Sequence, residues 1–520
     1  MGRHRWFLTL LAALALVVGA CSNDQSGDAA DDAADDATTT QPSDPLLVAT
    51  TLGPVQGGES AVDGIRHFLN IPFAEPPTGE NAWRPPQPRE PWANALDATE
   101  PGPSCPQTEG GVTTSFLETP ESDPDCLSLN VWTPDGAEDL PTMVWIHGGG
   151  LTTGSAHEPY YIGDDLASEG VVVVSMNYRL GPQGFLATDE LAEESDDGAV
   201  GNYGFLDQQA ALEWVQANIA GFGGDPEEVT IFGESAGGFS VCGHLAAPGS
   251  QGLFQQAIVQ SGGGCARLQP VESAVEDGAA FMEAVGCEDI ACLRELSDED
   301  LIAVADFNGA LVSDGVVLSE TAYELAERGD LDDTPILIGS NADESTLFTL
   351  GEDEPTDEEL VELVSDLTDD PEAFIELYPA ESFDSNLDRY RAMETDVRFT
   401  CPTLDFASVA PQTYVYHYVY LSEQNPFDLG ATHGAEISSL FEHPEGITAI
   451  EIERTDEGAR LSDLIQGAWA AFATKGDPGE EFEPYADDRT VTLINVPLER
   501  VDEIRDGRCE QVTQLSTGGL

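Results

Sequence analysis

The chain predicts an α/β protein with a central, mostly parallel sheet and helices on both faces. Three observations lead there. Short apolar runs alternate with helical patterns from residue 46 onward. Several of the runs are β-branched and unbroken, as strands covered on both faces must be. No internal repeat and no second linker interrupts the series. A length of 520 residues and a hydrophobic fraction of 41% are enough for a sizeable core.

The N-terminus stands apart from that series. Arg3 and Arg5 precede an apolar run from Trp6 to Ala20, which is short for a bilayer span. This predicts a signal peptide over residues 1–20. Val18-Gly19-Ala20-Cys21 resembles a bacterial lipobox, which implies lipidation of Cys21. Residues 22–45 hold seven Asp, no aromatic residue and no Lys or Arg. Such a stretch cannot bury a core, so residues 21–45 are expected to be an acidic disordered tether, with the folded domain over 46–520. The expected location is outside the cytoplasm, as a membrane lipoprotein or, with ordinary signal cleavage, as a secreted protein.

In order, the strand candidates are Thr142 to Ile146, Val171 to Met176, Val229 to Phe232, Ala257 to Gln260, Pro335 to Gly339 and Tyr414 to Leu421. A helix is predicted over Phe205 to Ile219, where Ala210 and Trp214, and Ala211 and Val215, recur at helical spacing. The acidic region around 350–400 reads as peripheral helices.

Charge excludes whole classes of partner. There are 97 acidic side chains against 19 basic ones, a net charge of −78, and Lys475 is the one lysine. Nucleic-acid binding needs a basic footprint that is missing here. Attraction to an anionic membrane surface is excluded too, so membrane contact is expected only through the N-terminal lipid. Strong self-repulsion is relieved by salt, whose Debye length falls to about 3 Å at 1 M. Salt adaptation and the acidic bias of a GC-rich genome both produce this composition.

Eight cysteines remain besides Cys21, an even number suited to an oxidising compartment. No C-x-x-C pair is present, so a zinc knuckle is not expected.

The third strand runs into Gly233-Glu234-Ser235-Ala236-Gly237, a G-x-S-x-G. Between a strand and a helix this is a nucleophile elbow. The turn is so tight that glycine is needed at both flanks, and Ser235 is left strained with its hydroxyl raised above the sheet. His147-Gly148-Gly149-Gly150 follows the first strand. There it supplies N–H donors for an oxyanion, assigned to Gly149, Gly150 and Ala236. A phosphate loop is excluded, because no G-K-[ST] and no G-x-G-x-x-G follows.

The base must be a histidine, and the expected chain order is Ser, acid, His. His244 falls in the helix after the elbow and His417 in a strand interior. His433 lies on a loop beyond that strand, and His443 lies farther on as the weaker choice. The acid belongs on the loop after Ile338. Asp343 and Glu344 both qualify there.

Two longer motifs carry a resemblance. Phe222-Gly223-Gly224-Asp225-Pro226, continuing from Val229 through Gly237, looks like the serine signature of type-B carboxylesterases. That family includes cholinesterases and bacterial para-nitrobenzyl esterases. Asp125-Cys126-Leu127-Ser128-Leu129-Asn130-Val131 resembles its second signature, E-D-C-L-x-L-N. The similarity runs from about Gly53 to about Cys509. It implies the α/β-hydrolase fold, a Ser-Glu-His triad, hydrolysis of small-molecule carboxylic esters through an acyl-enzyme, and no cofactor or metal.

By resemblance the acid is Glu344, since the family's D-E-x-x-x-F is Asp343-Glu344-Ser345-Thr346-Leu347-Phe348 here, with Ser345 at a position where glycine is usual. The base is His433, in the family's H-G-x-E pattern. Glu234 and Ser261 match polar residues that support the histidine. The family pattern pairs Cys105 with Cys126, Cys287 with Cys292 and Cys401 with Cys509, which leaves Cys242 and Cys265 for each other. Cholinesterases hold choline on a tryptophan in the first disulfide loop. Here the stretch from Pro106 to Asp125 has Phe116 and no Trp, so a choline-ester preference is not implied. The family fold also serves adhesion proteins such as neuroligins, which have lost the triad; the three triad residues here point to the enzyme.

Overall fold

Among the described residues eleven strands build the main sheet: β1 Gly58–Glu59, β2 Ile65–Pro72, β3 Ser128–Pro134, β4 Leu140–Ile146, β5 Val172–Met176, β6 Gly224–Glu234, β7 Gln256–Gln260, β8 Ile336–Asn341, β9 Thr413–Tyr418, β10 Val491–Ile494 and β11 Glu499–Val501. Their spatial order is β11-β10-β9-β8-β7-β6-β4-β5-β3-β2-β1. Neighbours from β10 to β5 run parallel, and both flanks are antiparallel. This is the expected α/β-hydrolase sheet. The computed structural model describes residues 44–107, 121–304, 307–331, 333–421, 428–441 and 455–516. The predicted signal peptide, Cys21, nearly all of the acidic tether, Phe116 and His443 lie outside them.

The apolar runs are continuous because the sheet is covered twice. Along β4 and β5, Val144, Ile146, Val172, Val174 and Met176 enter one core. Met143, Trp145 and Val173, on the alternate positions, enter the other. The first core is closed by helix α1, Tyr203–Asn218, through Ala211, Leu212 and Val215, and by α2, Ala236–Ala246, through Val241. The second is closed by Leu461, Ile465, Trp469 and Phe472 of a long helix, Asp456–Lys475. Each such side chain contributes about 1.5–3 kcal/mol by leaving water.

Each strand predicted from sequence is present, with small shifts at its ends. The largest shift is at β6, which begins at Gly224 rather than Val229; the last run is corrected at its other end. β9 stops at Tyr418, because its parallel neighbours end there, at Asn341 and Ile494. Residues beyond it leave the sheet. The 350–400 region is helical, with Asp357–Val364, Pro371–Glu376 and Asn386–Thr395, followed by a π-helical turn, Asp396–Thr400. Sequence periodicity missed the antiparallel flank. β2 carries a register shift between Phe68 and Ile71, which breaks its alternation, and β1 and β11 are two and three residues long.

All four disulfides form as paired above: Cys105–Cys126, Cys242–Cys265, Cys287–Cys292 and Cys401–Cys509. Among the described residues no helix is long and apolar enough to cross a membrane.

Candidate active site

Strand β6 ends at Glu234 and helix α2 begins at Ala236, so Ser235 alone makes the turn. Its φ of 56° and ψ of −122° put an L-residue in a strained region. The flanks must be glycine. A Cβ on Gly237 would lie 1.9 Å from the Ile146 carbonyl oxygen, and one on Gly233 would lie 2.6 Å from the Gly237 carbonyl carbon. The strain at Ser235 is thus held by backbone packed against backbone.

The glycine-rich loop leans on this turn. A Cβ on Gly148 would sit 3.3 Å from the Ser235 Cβ. Gly149 has φ 104°, and a side chain there would strike the Thr153 carbonyl oxygen at 2.2 Å. Among the described hydrogen bonds none takes the N–H of Gly149, Gly150 or Ala236. His147, at the head of the loop, is buried and stacks on Tyr178 with ring centroids 4.4 Å apart. Burial lowers its pKa to about 4, so it stays neutral.

His433 sits on the loop after β9. Its Nδ1 donates to Glu344 Oε2 at 2.6 Å. Glu344 Oε1 accepts from Ser261 Oγ at 2.7 Å and from the Asn341 N–H at 2.7 Å. Three donors hold this fully buried carboxyl group in place. The neighbouring Asp343 does different work. Its Oδ2 accepts from the Ala431 N–H at 2.9 Å, which ties down the loop that carries His433. That contact separates two acids that chemistry alone left open. His417 is buried within β9 and His244 within α2, where Ser250 and Gln208 engage its two ring nitrogens.

Both expected supporting residues are at the site. Ser261 touches the acid rather than the histidine. Glu234 Oε1 lies 3.1 Å from His433 Nε2, out of line for a hydrogen bond, so both atoms are unpartnered. No hydrogen bond joins Ser235 Oγ to Nε2 among the described contacts. Catalytic hydrogen bonds of this kind are often long before substrate arrives.

Sequence reasoning missed four members of the cluster. Glu436 is buried, accepts from Asn341 Nδ2 at 2.6 Å and from Gln260 Nε2 at 3.1 Å, and adds a third carboxyl near the imidazole. It is the last letter of the H-G-x-E pattern, which was the available signal. Phe348 and Phe399 stand 4.9 and 5.1 Å from the imidazole centroid and wall it on one side. Asn341, at the end of β8, bridges Glu344 and Glu436.

These charges act on one another. Burial by itself would lower the His433 pKa, but Glu234, Glu344 and Glu436 outweigh it and raise it to about 9. Glu234 is raised to about 8, chiefly by burial, against the pull of His433 and with the push of Glu436 and Glu344. Glu436 is raised by burial and then by Glu344. Among the described residues no group of three or more His, Cys, Asp or Glu is arranged to hold a metal ion.

Residues 44–511 match the model of the carboxylesterase family. The chain belongs to that family. It is therefore a carboxylic ester hydrolase. It is 38% identical over 477 residues to the para-nitrobenzyl esterase of Bacillus subtilis (strain 168), covering 86% of this chain and 94% of that one. It is 36% identical over 470 residues to the fumonisin B1 esterase of Sphingopyxis macrogoltabida, covering 85% and 84%. Among solved structures, a thermophilic PNB esterase superposes with a TM-score of 0.80 at 34% identity, over 90% of this chain and 100% of that one. The carboxylesterase reading of the motifs and of the sheet agrees with these likenesses.

Proposed function

We propose that Ser235, His433 and Glu344 hydrolyse carboxylic esters through an acyl-enzyme. The observation that carries this is the short Nδ1–Oε2 bond of 2.6 Å between a buried imidazole and a buried carboxylate, with a strained serine on the adjoining elbow. Ser235 attacks the carbonyl while His433 Nε2 takes its proton. Glu344 holds the tautomer and stabilises the imidazolium. The N–H groups of Gly149, Gly150 and Ala236 meet the oxyanion, and losing one such donor costs about 3 kcal/mol. His433 then protonates the leaving alcohol, and later activates the water that frees the acid. Ser261 positions Glu344, and Glu234 borders Nε2.

A para-nitrobenzyl ester, suggested by the name of one relative, is the first substrate to try. Ser235→Ala should abolish its hydrolysis and labelling by a fluorophosphonate probe. Full hydrolysis by that variant refutes the assignment.

Two further readings rest on composition. The Val18–Cys21 sequence supports a lipid anchor on Cys21, and absence of label after growth with labelled palmitate refutes it. The net charge of −78 supports salt adaptation, and a melting temperature that does not rise between about 0.1 and 2 M NaCl refutes that.

A further inference from the structure

Cations are scarce in this chain, with 19 basic side chains against 97 acidic ones. Nearly all described arginines that sit beside another charge sit beside a carboxylate. Arg267 does not. Among the described residues it makes no ion pair, and the charge that acts on it is another cation, Arg398. Its pKa is lowered, first by desolvation and then by Arg398, although Arg267 is an exposed residue that an anion in solution can reach. An unpaired arginine is unexpected where carboxylates outnumber cations so heavily.

Its location gives it a role. Arg267 ends the loop that leaves β7, and that loop begins with Ser261, which holds Glu344. Cys242–Cys265 staples the same loop to helix α2 behind Ser235. The loop presses against residues 396–402. A Cβ on Gly263 would lie 3.0 Å from the Arg398 carbonyl oxygen and 3.1 Å from the Phe239 ring, and one on Gly264 would lie 2.3 Å from the Pro402 carbonyl oxygen. Phe399, next to Arg398, is the ring 5.1 Å from His433. Both arginines thus stand on the two segments that border the imidazole and its acid. Arg398 Nε is 3.0 Å from Glu394 Oε1, so Arg398 has a carboxylate partner while the Arg267 guanidinium has none among the described residues. Phe348, 44% exposed, offers an apolar face beside the imidazole, at 6.1 Å from Phe399.

We propose that Arg267 and Arg398 form a carboxylate-binding subsite beside the triad, so that this enzyme favours esters carrying a free carboxylate over neutral esters of the same length. This rests on the esterase reading above. A guanidinium pairs with a carboxylate through parallel N–H donors, and partial desolvation strengthens the pair. The surrounding field repels anions, so a local cation pair is what an anionic substrate needs at the site.

The test compares kcat/KM for mono-4-nitrophenyl glutarate and 4-nitrophenyl valerate, which differ in a terminal carboxylate on the acyl chain. A second arm puts the carboxylate on the alcohol, with the butyryl esters of 4-hydroxybenzoate and of its methyl ester. Arg267→Gln should lower the ratio of anionic to neutral kcat/KM by about 10-fold or more, the size expected for a charged hydrogen bond. Arg398→Gln should lower it less, because Glu394 already engages that group. Arg267→Glu should lower it most. The arm that responds identifies the half of the ester that carries the carboxylate. Unchanged ratios in both arms overturn the subsite while leaving the esterase intact. A wild-type protein that hydrolyses none of the four esters overturns the esterase reading itself.

Discussion

Two buried groups of charges sit on the sheet, and they are built in opposite ways. Arg179 and Asp207 meet in a two-pronged pair, Nε to Oδ2 at 2.7 Å and Nη2 to Oδ1 at 2.7 Å. Backbone contacts close the arrangement: the Arg179 N–H donates to Oδ2 at 3.1 Å, and Nη2 donates to the Tyr203 carbonyl at 3.2 Å. Charges cancel there, and of these side-chain polar atoms Nη1 alone lacks a partner. Around His433 the charges do not cancel. Three carboxyls face one imidazole, and Nε2 and a Glu234 oxygen remain unpartnered. A structural pair is closed on itself, and it pins α1 to the residues after β5. The site keeps more carboxyl groups than it has cationic partners for, and a free imidazole nitrogen beside the elbow.

Substitutions on each side test that contrast. The largest effect is expected at the acid of the site. Glu344→Gln should lower kcat by about 10,000-fold, by analogy with loss of the tautomer-holding carboxylate in other triads. A loss under about 10-fold would mean that Glu344 does not orient the base. Asp207→Ala leaves Arg179 buried and unpaired, and should cost about 3–5 kcal/mol in chemical denaturation. Its kcat per folded molecule should hold. Equal damage to kcat would mean that the two groups are not independent.

The pH profile sharpens the contrast further. His433 must be neutral to accept a proton, and its pKa is raised to about 9, so the acid limb of kcat/KM should lie above the 6.5 of an ordinary imidazole. Removing the Glu234 charge withdraws one of the influences that raise it. Glu234→Gln should therefore move the limb to lower pH, and a limb that stays put or rises contradicts the cluster. Glu436→Gln should move it the same way by less.

Stability follows from the same shifts. A histidine raised from 6.5 to about 9 contributes stability that is complete below pH 6.5 and lost as pH climbs toward 9. A carboxyl raised to about 8 adds a loss in the same direction, complete above pH 8. The Glu234 contribution should lower denaturant midpoints from about pH 4.5 to 8 and the His433 contribution from about pH 6.5 to 9, and the fall should be smaller in Glu234→Gln.

Much of this was legible in the chain, for local reasons. A G-x-S-x-G after a β-branched run can close only one kind of turn, and the Cβ clashes at Gly233 and Gly237 are the physical form of that constraint. The central parallel strands β4 to β9 were legible because burial on both faces writes an unbroken apolar run, whereas the four-residue parallel strand β10 was missed. The antiparallel flank was not, since short and bulged strands leave no clean period. Asp343 and Glu344 looked alike because they are adjacent on one loop. What separates them is whether the side chain meets Ala431 or His433, and both partners are far along the chain.

The amino-acid order by itself determined the elbow, the glycine-rich donor loop, the parallel core and a heavy negative charge, because each depends on neighbours in sequence or on composition alone. Folding decided the rest. The three-carboxyl environment of His433, the tie from Ser261 to Glu344, the Arg179–Asp207 pair and the meeting of Arg267 with Arg398 bring together residues from distant segments, and a pKa or an ion pair depends on distance in space.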